Sequence, residues 1–547
     1  MAVVQIERTN RMVTMNSQDS VFKAMVHSGS YPHTVKSIQV RETHISKVFL
    51  TGTRAYKIKK AVNLGFLDFT RLADRYRFCV QELNLNRRLT RGVYLEVVPI
   101  TFDGSRIGVK RGGQVVEYAV CMRQLSADNS MLRLLRAGRL NKRDIARIAE
   151  VLHDFYRTAA RDAAVAKWGE IDLIGRNCAD NFETLKRFVG EGIDGEQLHA
   201  IEAAVNAMLE RSRAQFIRRQ AEGFVRDGHG DLRCGHVYIE NEIQIIDCVE
   251  FDERYRCGDV AADIAFLAMD LDFEGFPGTA RQLVETYAQL ARDPGLQVLI
   301  DFYKCYRAMV RAKVNCLRLQ DNCLPLGERN ALLRHTQRFM ELAFTYALCF
   351  SQPTLWVVCG LPAAGKSTLS RRLEEILGCG VISSDSTRKA LFGLEADSAA
   401  EAAFGRGIYC PAADARTYAK LLLRAQEGLA SGADVILDAT FSREEQRNEA
   451  IRLANDQGAL VIFVECRVAD HLLEQRLARR SDMRGVSDAR LHHLPELRAR
   501  YTPFAASVGN HFSIDTAQPL EPQLLSLLAC QRTLRAENAQ KKLIRSL

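Results

Sequence analysis

Residues 360–368 read GLPAAGKST, directly after the apolar run TLWVVC and before SRRLEEIL, whose spacing suits an amphipathic helix. The stretch fits the pattern GxxxxGK[ST], and its position between an expected strand and an expected helix constrains the fold more than any other feature of the sequence. Gly360 and Gly365 let the backbone through Leu361, Pro362, Ala363 and Ala364 wrap phosphate oxygens. The helix beginning there presents its positive end, Lys366 can reach the terminal phosphates, and Ser367, with Thr368 beside it, offers a hydroxyl to magnesium. Strands expected at 354–359, 380–384, 433–438, 459–465 and 511–515 alternate with helical segments, which is the signature of a parallel α/β sheet.

VISSDSTRKALFG places Asp385 and Arg388 just past the second of these strands, and VILDATF places Asp438 at the end of the third. From residue 353 to about 530 the chain resembles the small P-loop kinases, including the polynucleotide, gluconate and shikimate kinases. The resemblance implies that Asp385 polarises an acceptor hydroxyl, that Arg388 binds acceptor or phosphate, that Lys366 is catalytic and that Asp438 holds magnesium through water. Helix capping by Asp385 and a structural role for Asp438 are the alternatives. LLEQRLARRSDMRGVS supplies Arg476, Arg479, Arg480 and Arg484, expected either as a lid over the transferring phosphoryl group or as a solvated basic face.

A second, unrelated pattern stands upstream. HGDLRCGH at 229–236 is followed by IIDCVEF at 245–251 and GDVAADIAFL at 258–267. Together these resemble the aminoglycoside phosphotransferase family, which shares the protein-kinase fold. The resemblance makes Asp231 the catalytic aspartate and Asp247 the principal magnesium ligand. Ahead of them, SKVFL and AYKIK flank a turn at Thr51 to Arg54 and are expected to form a β-hairpin. That hairpin offers Lys57 to the nucleotide phosphates, with Lys59 on the same face at period two, and Glu82 in the following helix, roughly 71–89, as a partner for Lys57. Asp259 is expected to brace the catalytic loop, and Asp263 to be structural.

His236 departs from the family pattern, which has asparagine there. Asparagine gives a neutral carbonyl oxygen to a second magnesium ion, whereas imidazole prefers softer metals. Three readings stay open: His236 ligates a metal such as manganese, it contacts phosphate as a cation, or the site binds nucleotide with little transfer.

A chain of 547 residues exceeds one ordinary core, so two or more domains are expected. The division expected is 1–40 of unknown role, 41–350 kinase-like α+β, and 351–547 an α/β P-loop domain, the boundary being set by the strand restart after Gln352. The whole resembles bacterial fusions of an aminoglycoside phosphotransferase-like domain with a P-loop ATP-binding domain. ATP and magnesium are the implied cofactors and an unidentified hydroxyl compound is the implied acceptor. A nucleic-acid end kinase and a regulatory ATP-binding protein are the alternatives, separable by salt dependence and by turnover.

The net charge of +9 suits phosphorylated ligands without demanding nucleic acid. The 15 cysteines form no CxxC pair, and no apolar run suits a membrane span or signal core, so a cytoplasmic location is expected. Within FYKCYRAMVRAKVNCLRLQ, helical spacing gathers Lys304, Arg307, Arg311 and Arg318 into a basic stripe, suited either to a phosphorylated ligand or an acidic neighbour, or simply to solvent.

Overall fold

The computed structural model describes residues 18–63, 65, 67–321, 324–395, 407–480, 491–505 and 508–546; of Arg480, Arg545 and Ser546 only the backbone is included. Packing divides the chain into two compact units, Met1–Gly169 with Gly223–Leu283, and Glu170–Glu222 with Val284–Leu547. This differs from a division near Gln352, because two helical stretches upstream of that residue pack with the C-terminal sheet.

In the first unit, β1 (Gln39–Glu42), β2 (Ser46–Leu50), β3 (Arg54–Lys59), β4 (Tyr94–Phe102), β5 (Ile107–Val109) and β6 (Gln114–Arg123) form an antiparallel sheet in the order β1-β2-β3-β6-β4-β5. The expected hairpin is β2–β3, closed where Thr51 N–H donates to the Arg54 carbonyl at 2.9 Å. Strand alternation sends Tyr56 and Ile58 into a core with Phe49, Val98 and Ile100. Lys57 and Lys59 therefore share the other face, where Cys79 and Leu83 of the helix Leu72–Asn86 pack on Ala55 and Val120. Glu82 lies between Cys79 and Leu83's turn of that helix and meets both lysines.

The remainder of this unit holds two short antiparallel pairs. β7 (Val225–Asp227) pairs with β10 (Cys257–Asp259), and β8 (Val237–Ile239) with β9 (Ile243–Ile245). The apolar run IQIIDCVEF leaves its strand at Ile245, because two residues later Asp247 takes a left-handed backbone with φ 68° and turns the chain. The helix Val260–Phe273 follows, buried along most of its length.

In the second unit, β11 (Thr354–Cys359), β12 (Val381–Ser383), β13 (Val435–Asp438), β14 (Leu460–Arg467) and β15 (His511–Asp515) form a fully parallel sheet in the order β12-β13-β11-β14-β15. The five strands fall where the alternation of apolar runs and helices put them. β11 is central and covered on both faces: Trp356 and Val358 enter one core, Leu355, Val357 and Cys359 the other. Burial on both sides explains why TLWVVC is continuously apolar. The chain passes to β12 on one side of β11 and later to β14 on the other, so the carboxyl end of β11 is a topological switch point, where α/β sheets bind ligands.

Helices Arg213–Ala221 and Pro294–Leu319 belong to this unit. Gln215 donates from its amide to the Leu377 carbonyl, Arg211 donates to the Phe350 carbonyl, and Val298 packs against the core around Trp356. The terminal helix Leu520–Ser546 buries Leu524, Leu527 and Leu528 in that same core and ties Arg535 to Asp434 at 2.6 Å. The basic stripe lies within the helix pair Pro294–Leu319 and Leu326–Ser351. Lys304 sits 4.3 Å over the Tyr346 ring, Arg311 sits 5.6 Å over Phe339, Arg318 pairs with Glu328, and Arg307 is buried. Among the described residues, no helix is long and apolar enough to cross a membrane.

Candidate active sites

Lys57 is the hub of the first site. Its ammonium lies 2.8 Å from Glu82 Oε1 and 2.5 Å from Asp247 Oδ1. Glu82 spends its other oxygen on Lys59 at 2.7 Å, and Lys59 also pairs with Glu250. Burial opposes every one of these charges. Even so, Lys57 and Lys59 hold the Glu82 carboxyl below its usual range, and Asp247 and Glu82 hold the Lys57 ammonium well above its own. Asp247 is likewise held far below the usual carboxyl range against the cost of burial, chiefly by Lys57. Its strained left-handed backbone is supported by Tyr94, whose hydroxyl accepts its N–H at 3.3 Å, and by Asn86, which accepts the next N–H, of Cys248, at 2.9 Å. Lys59 and Glu250 enter as a second ion pair beneath the first; their period-two spacing from Lys57 and from Cys248 was the only signal in the sequence.

The loop HGDLRCGH is held from behind. Asp263 accepts the N–H groups of His229 at 2.6 Å and Gly230 at 3.0 Å, and the Tyr156 hydroxyl at 3.0 Å. Asp263, expected to be structural, thus braces the loop, and Asp259 caps the helix on which Asp263 stands by accepting Ala261 N–H. Gly230 has φ 84°, and a β-carbon there would meet the Tyr255 carbonyl oxygen at 2.6 Å, so no other residue fits. His229 accepts the Asp231 N–H on Nδ1 at 3.2 Å and donates from Nε2 to the Ile246 carbonyl at 3.0 Å. Burial pushes its pKa down to about 4, so the ring is neutral at physiological pH.

Asp231, His236 and Asp247 come together, with one potential ligand atom from each within 4.8 Å of the others. Magnesium takes oxygen donors, and the two carboxylates fit it. His236 donates from Nδ1 to the Asp231 carbonyl at 2.8 Å, which leaves Nε2 as an acceptor 3.6 Å from Asp247 Oδ2. Burial, then Arg233, lowers its pKa, which weighs against a cationic contact with phosphate. Arg233 escaped notice in the sequence although it lies inside HGDLRCGH. It grips both oxygens of Asp231, at 2.7 and 2.8 Å.

At the second site, the loop Gly360–Thr368 leaves the carboxyl end of β11 and enters the helix Lys366–Leu377. Gly360 has φ 123°, and a β-carbon there would lie 2.6 Å from the Cys466 carbonyl oxygen. Lys366 donates back to the carbonyls of Gly360 and Leu361, at 3.1 and 3.0 Å, while Ser367 and Thr368 are exposed. Asp438 ends β13 and is opposite Ser383 in register. Asp385, two residues past Ser383, therefore stands at the same end of the sheet. Ser383 occupies the N-cap of the next helix and Asp385 lies inside its first turn, so Asp385 is not the cap.

The arginines separate. Arg388 is buried, paired with Asp414 at 2.9 Å and 5.1 Å over the Tyr409 ring. Arg476 reaches the phosphate loop, donating to the Ala363 carbonyl at 3.4 Å and to Thr516 Oγ1 at 2.9 Å. Thr516 donates to the Ala364 carbonyl at 2.7 Å and packs against Gly365; sequence reading missed it, as a lone threonine after the last strand gives no signal. The side chain of Arg480 and all of Arg484 lie outside the described residues.

A protein-kinase-like fold with a lysine–glutamate pair beside two loop aspartates, followed by a P-loop kinase-like fold, defines a fusion of the two classes. A family model described as an AAA domain matches residues 355–504, which include the phosphate loop, Asp385 and Asp438. The uncharacterized protein Rv2004c of Mycobacterium tuberculosis (strain ATCC 25618 / H37Rv) is 33% identical over 485 residues, 88% of this chain and 93% of that protein, and the uncharacterized protein Mb2027c of Mycobacterium bovis matches equally. The chain belongs to the family of these mycobacterial proteins. Among solved structures, a choline/ethanolamine kinase family protein from Mesorhizobium loti covers 61% of this chain and 99% of its own, at 12% identity and TM-score 0.37. A gluconokinase from Sinorhizobium meliloti 1021 covers 35% and 97%, at 18% identity and TM-score 0.24.

Proposed function

We propose that the protein is an ATP-dependent phosphotransferase with two nucleotide sites, each directing the terminal phosphate to a hydroxyl of a small molecule. The observation that carries this reading is the convergence of Lys57, Glu82, Asp247 and Asp231 from four separate segments of sequence. Phosphoryl transfer needs the phosphates fixed, a metal carboxylate beside them and a carboxylate for the acceptor proton, with little covalent work by the protein. Lys57, oriented by Glu82, binds phosphate oxygens. Asp247 holds magnesium, which supplies charge neutralisation at the phosphates. Asp231 orients the acceptor hydroxyl and takes its proton.

At the second site the backbone of Gly360–Thr368 and Lys366 cradle the phosphates, Ser367 and Asp438 hold magnesium, Asp385 polarises the acceptor, and Arg476 fixes the loop through Thr516. A regulatory ATP-binding role for the N-terminal site is the second reading, favoured by the engagement of both Asp231 oxygens with Arg233.

The test is a metabolite-extract screen with γ-labelled ATP, repeated with Asp231→Asn and Asp385→Asn. Labelled product that depends on one or both aspartates supports transfer. Nucleotide binding with no product and no hydrolysis from either site supports the regulatory reading.

A further inference from the structure

Why histidine stands at 236 is answered by what its free nitrogen accepts. Nδ1 is committed to the Asp231 carbonyl, so Nε2 carries a lone pair, and Arg233 Nη2 lies 3.0 Å from it. The same guanidinium is forked onto both Asp231 oxygens through Nε and Nη2. Arg233 is thus anchored to two of the three residues whose ligand atoms cluster at this centre. We propose that Arg233 is a built-in cation at the N-terminal centre, taking the place of a second divalent ion, with His236 as its acceptor and not as a metal ligand. The proposal rests on the phosphotransfer reading above.

The chemistry favours the arginine on three counts. In protein kinases the catalytic-loop asparagine gives an oxygen to a second magnesium ion, whereas imidazole nitrogen is a poor magnesium ligand. A neutral imidazole is, however, a good acceptor for guanidinium, whose charge is permanent and whose planar fork matches a carboxylate. A second divalent ion held between His236 Nε2 and Asp247 Oδ2, which lie 3.6 Å apart, would have to displace Arg233 from Nε2, one of the three hydrogen bonds that seat the guanidinium on Asp231 and His236. Nη1 makes none of those three bonds, which leaves its two N–H groups for a phosphoryl oxygen. Arg233 and His236 are therefore one device: the arginine supplies the charge and the histidine seats it. A single divalent ion, at Asp247, completes the centre.

Manganese with a non-hydrolysable ATP analogue, AMP-PNP, tests this on the full-length protein. Bound manganese is counted by electron paramagnetic resonance, and directly bound nitrogen is sought by spin-echo modulation. The P-loop site offers side-chain oxygens from Ser367 and Asp438, so a histidine nitrogen signal that vanishes in His236→Asn reports only the N-terminal centre. The expected results are that Asp247→Ala loses one manganese relative to wild type and that wild type shows no such signal. Arg233→Met is expected to gain one manganese together with a signal removed by adding His236→Asn. A His236-dependent nitrogen signal in wild type, or a loss of two manganese ions in Asp247→Ala, overturns the proposal while leaving phosphotransfer intact. Equal manganese counts in wild type and Asp247→Ala overturn the phosphotransfer reading of this site and the proposal with it. Should Arg233→Met fail to fold, the wild-type count and nitrogen signal decide.

Discussion

Lys57 Nζ lies 2.5 Å from Asp247 Oδ1, joining residues 190 positions apart in the chain. One belongs to strand β3 and the other to a left-handed turn after β9, so the contact exists only when the six-stranded sheet and the β8–β9 hairpin region have packed together. Lys57→Met should weaken nucleotide binding at the N-terminal site at least tenfold. Because Lys59 still pairs with Glu82, the stability cost should remain at about 1–3 kcal/mol. Glu82→Gln, which takes one carboxylate from two buried lysines and leaves them only Asp247 and Glu250, should cost more, about 3–5 kcal/mol. Urea unfolding of both variants, with ATP-analogue titration, ranks them; equal costs would show that Lys59 does not share the load.

Asp263 closes the loop HGDLRCGH through two backbone N–H groups. Asp263→Ala leaves both buried donors without their carboxylate, each loss worth about 1–3 kcal/mol. Stability should fall by several kcal/mol and N-terminal turnover should disappear. Asp263→Asn, which can satisfy one donor through its carbonyl, should recover part of the stability, and a thermal shift series checks the order.

His229 sets an acid limit. Its folded pKa, about 4, lies below the unfolded value near 6.5, so the unfolded chain binds the extra proton more readily. The histidine imposes no penalty above pH 6.5. As pH falls from 6.5 towards 4 the folded state is penalised, by about 3 kcal/mol when complete. Protonation of the folded ring also removes the acceptor for Asp231 N–H, so N-terminal turnover should hold until pH approaches about 4 and fall there, later than stability begins to fall. Stability and turnover profiles from pH 4 to 8 test this; a flat stability curve across the window would contradict it.

On the proposed function the two sites hold phosphate by different means, the N-terminal one through Lys57 and Asp247 and the other through Lys366 in a backbone loop, so neither set of residues should replace the other. Lys366→Ala should lower P-loop turnover roughly 100-fold or more while nucleotide binding at the N-terminal site persists. Asp247→Ala should do the reverse, and the double variant should lose magnesium-dependent turnover altogether. Loss of both activities from either single substitution, in folded protein, would mean that the sites are coupled.

A fragment starting at Gln352 is natural to expect from the sequence, but it removes helices that pack on the C-terminal sheet. It uncovers the apolar surface met by Val298 and leaves the Leu377 carbonyl without Gln215. Such a fragment should aggregate or melt well below the full chain. Light scattering and calorimetry on the purified fragment would show it, and a monomeric fragment of full-chain stability would prove the sheet autonomous.

Local order along the chain is enough to frame both sites. GLPAAGKST between an apolar run and a helix dictates a wrapped phosphate loop, because glycine conformational freedom, strand burial and helix start are all local properties. The hairpin around Thr51 and the spacing of HGDLRCGH from IIDCVEF were legible for the same reason. Tertiary structure alone decided which charges meet. Arg233 lies two residues from Asp231, yet nothing in the spacing tells that its fork closes on both oxygens and also on His236. Asp259 and Asp263 are equivalent as letters, and only the docking of helix Val260–Phe273 gives Asp263 the loop N–H groups. The stripe of Lys304, Arg307, Arg311 and Arg318 looked open to ligands until the helix Leu326–Ser351 covered it with Tyr346, Phe339 and Glu328. Periodicity fixes which side of an element a residue takes, but pairing energy depends on distance and burial, and those arise only when distant segments pack.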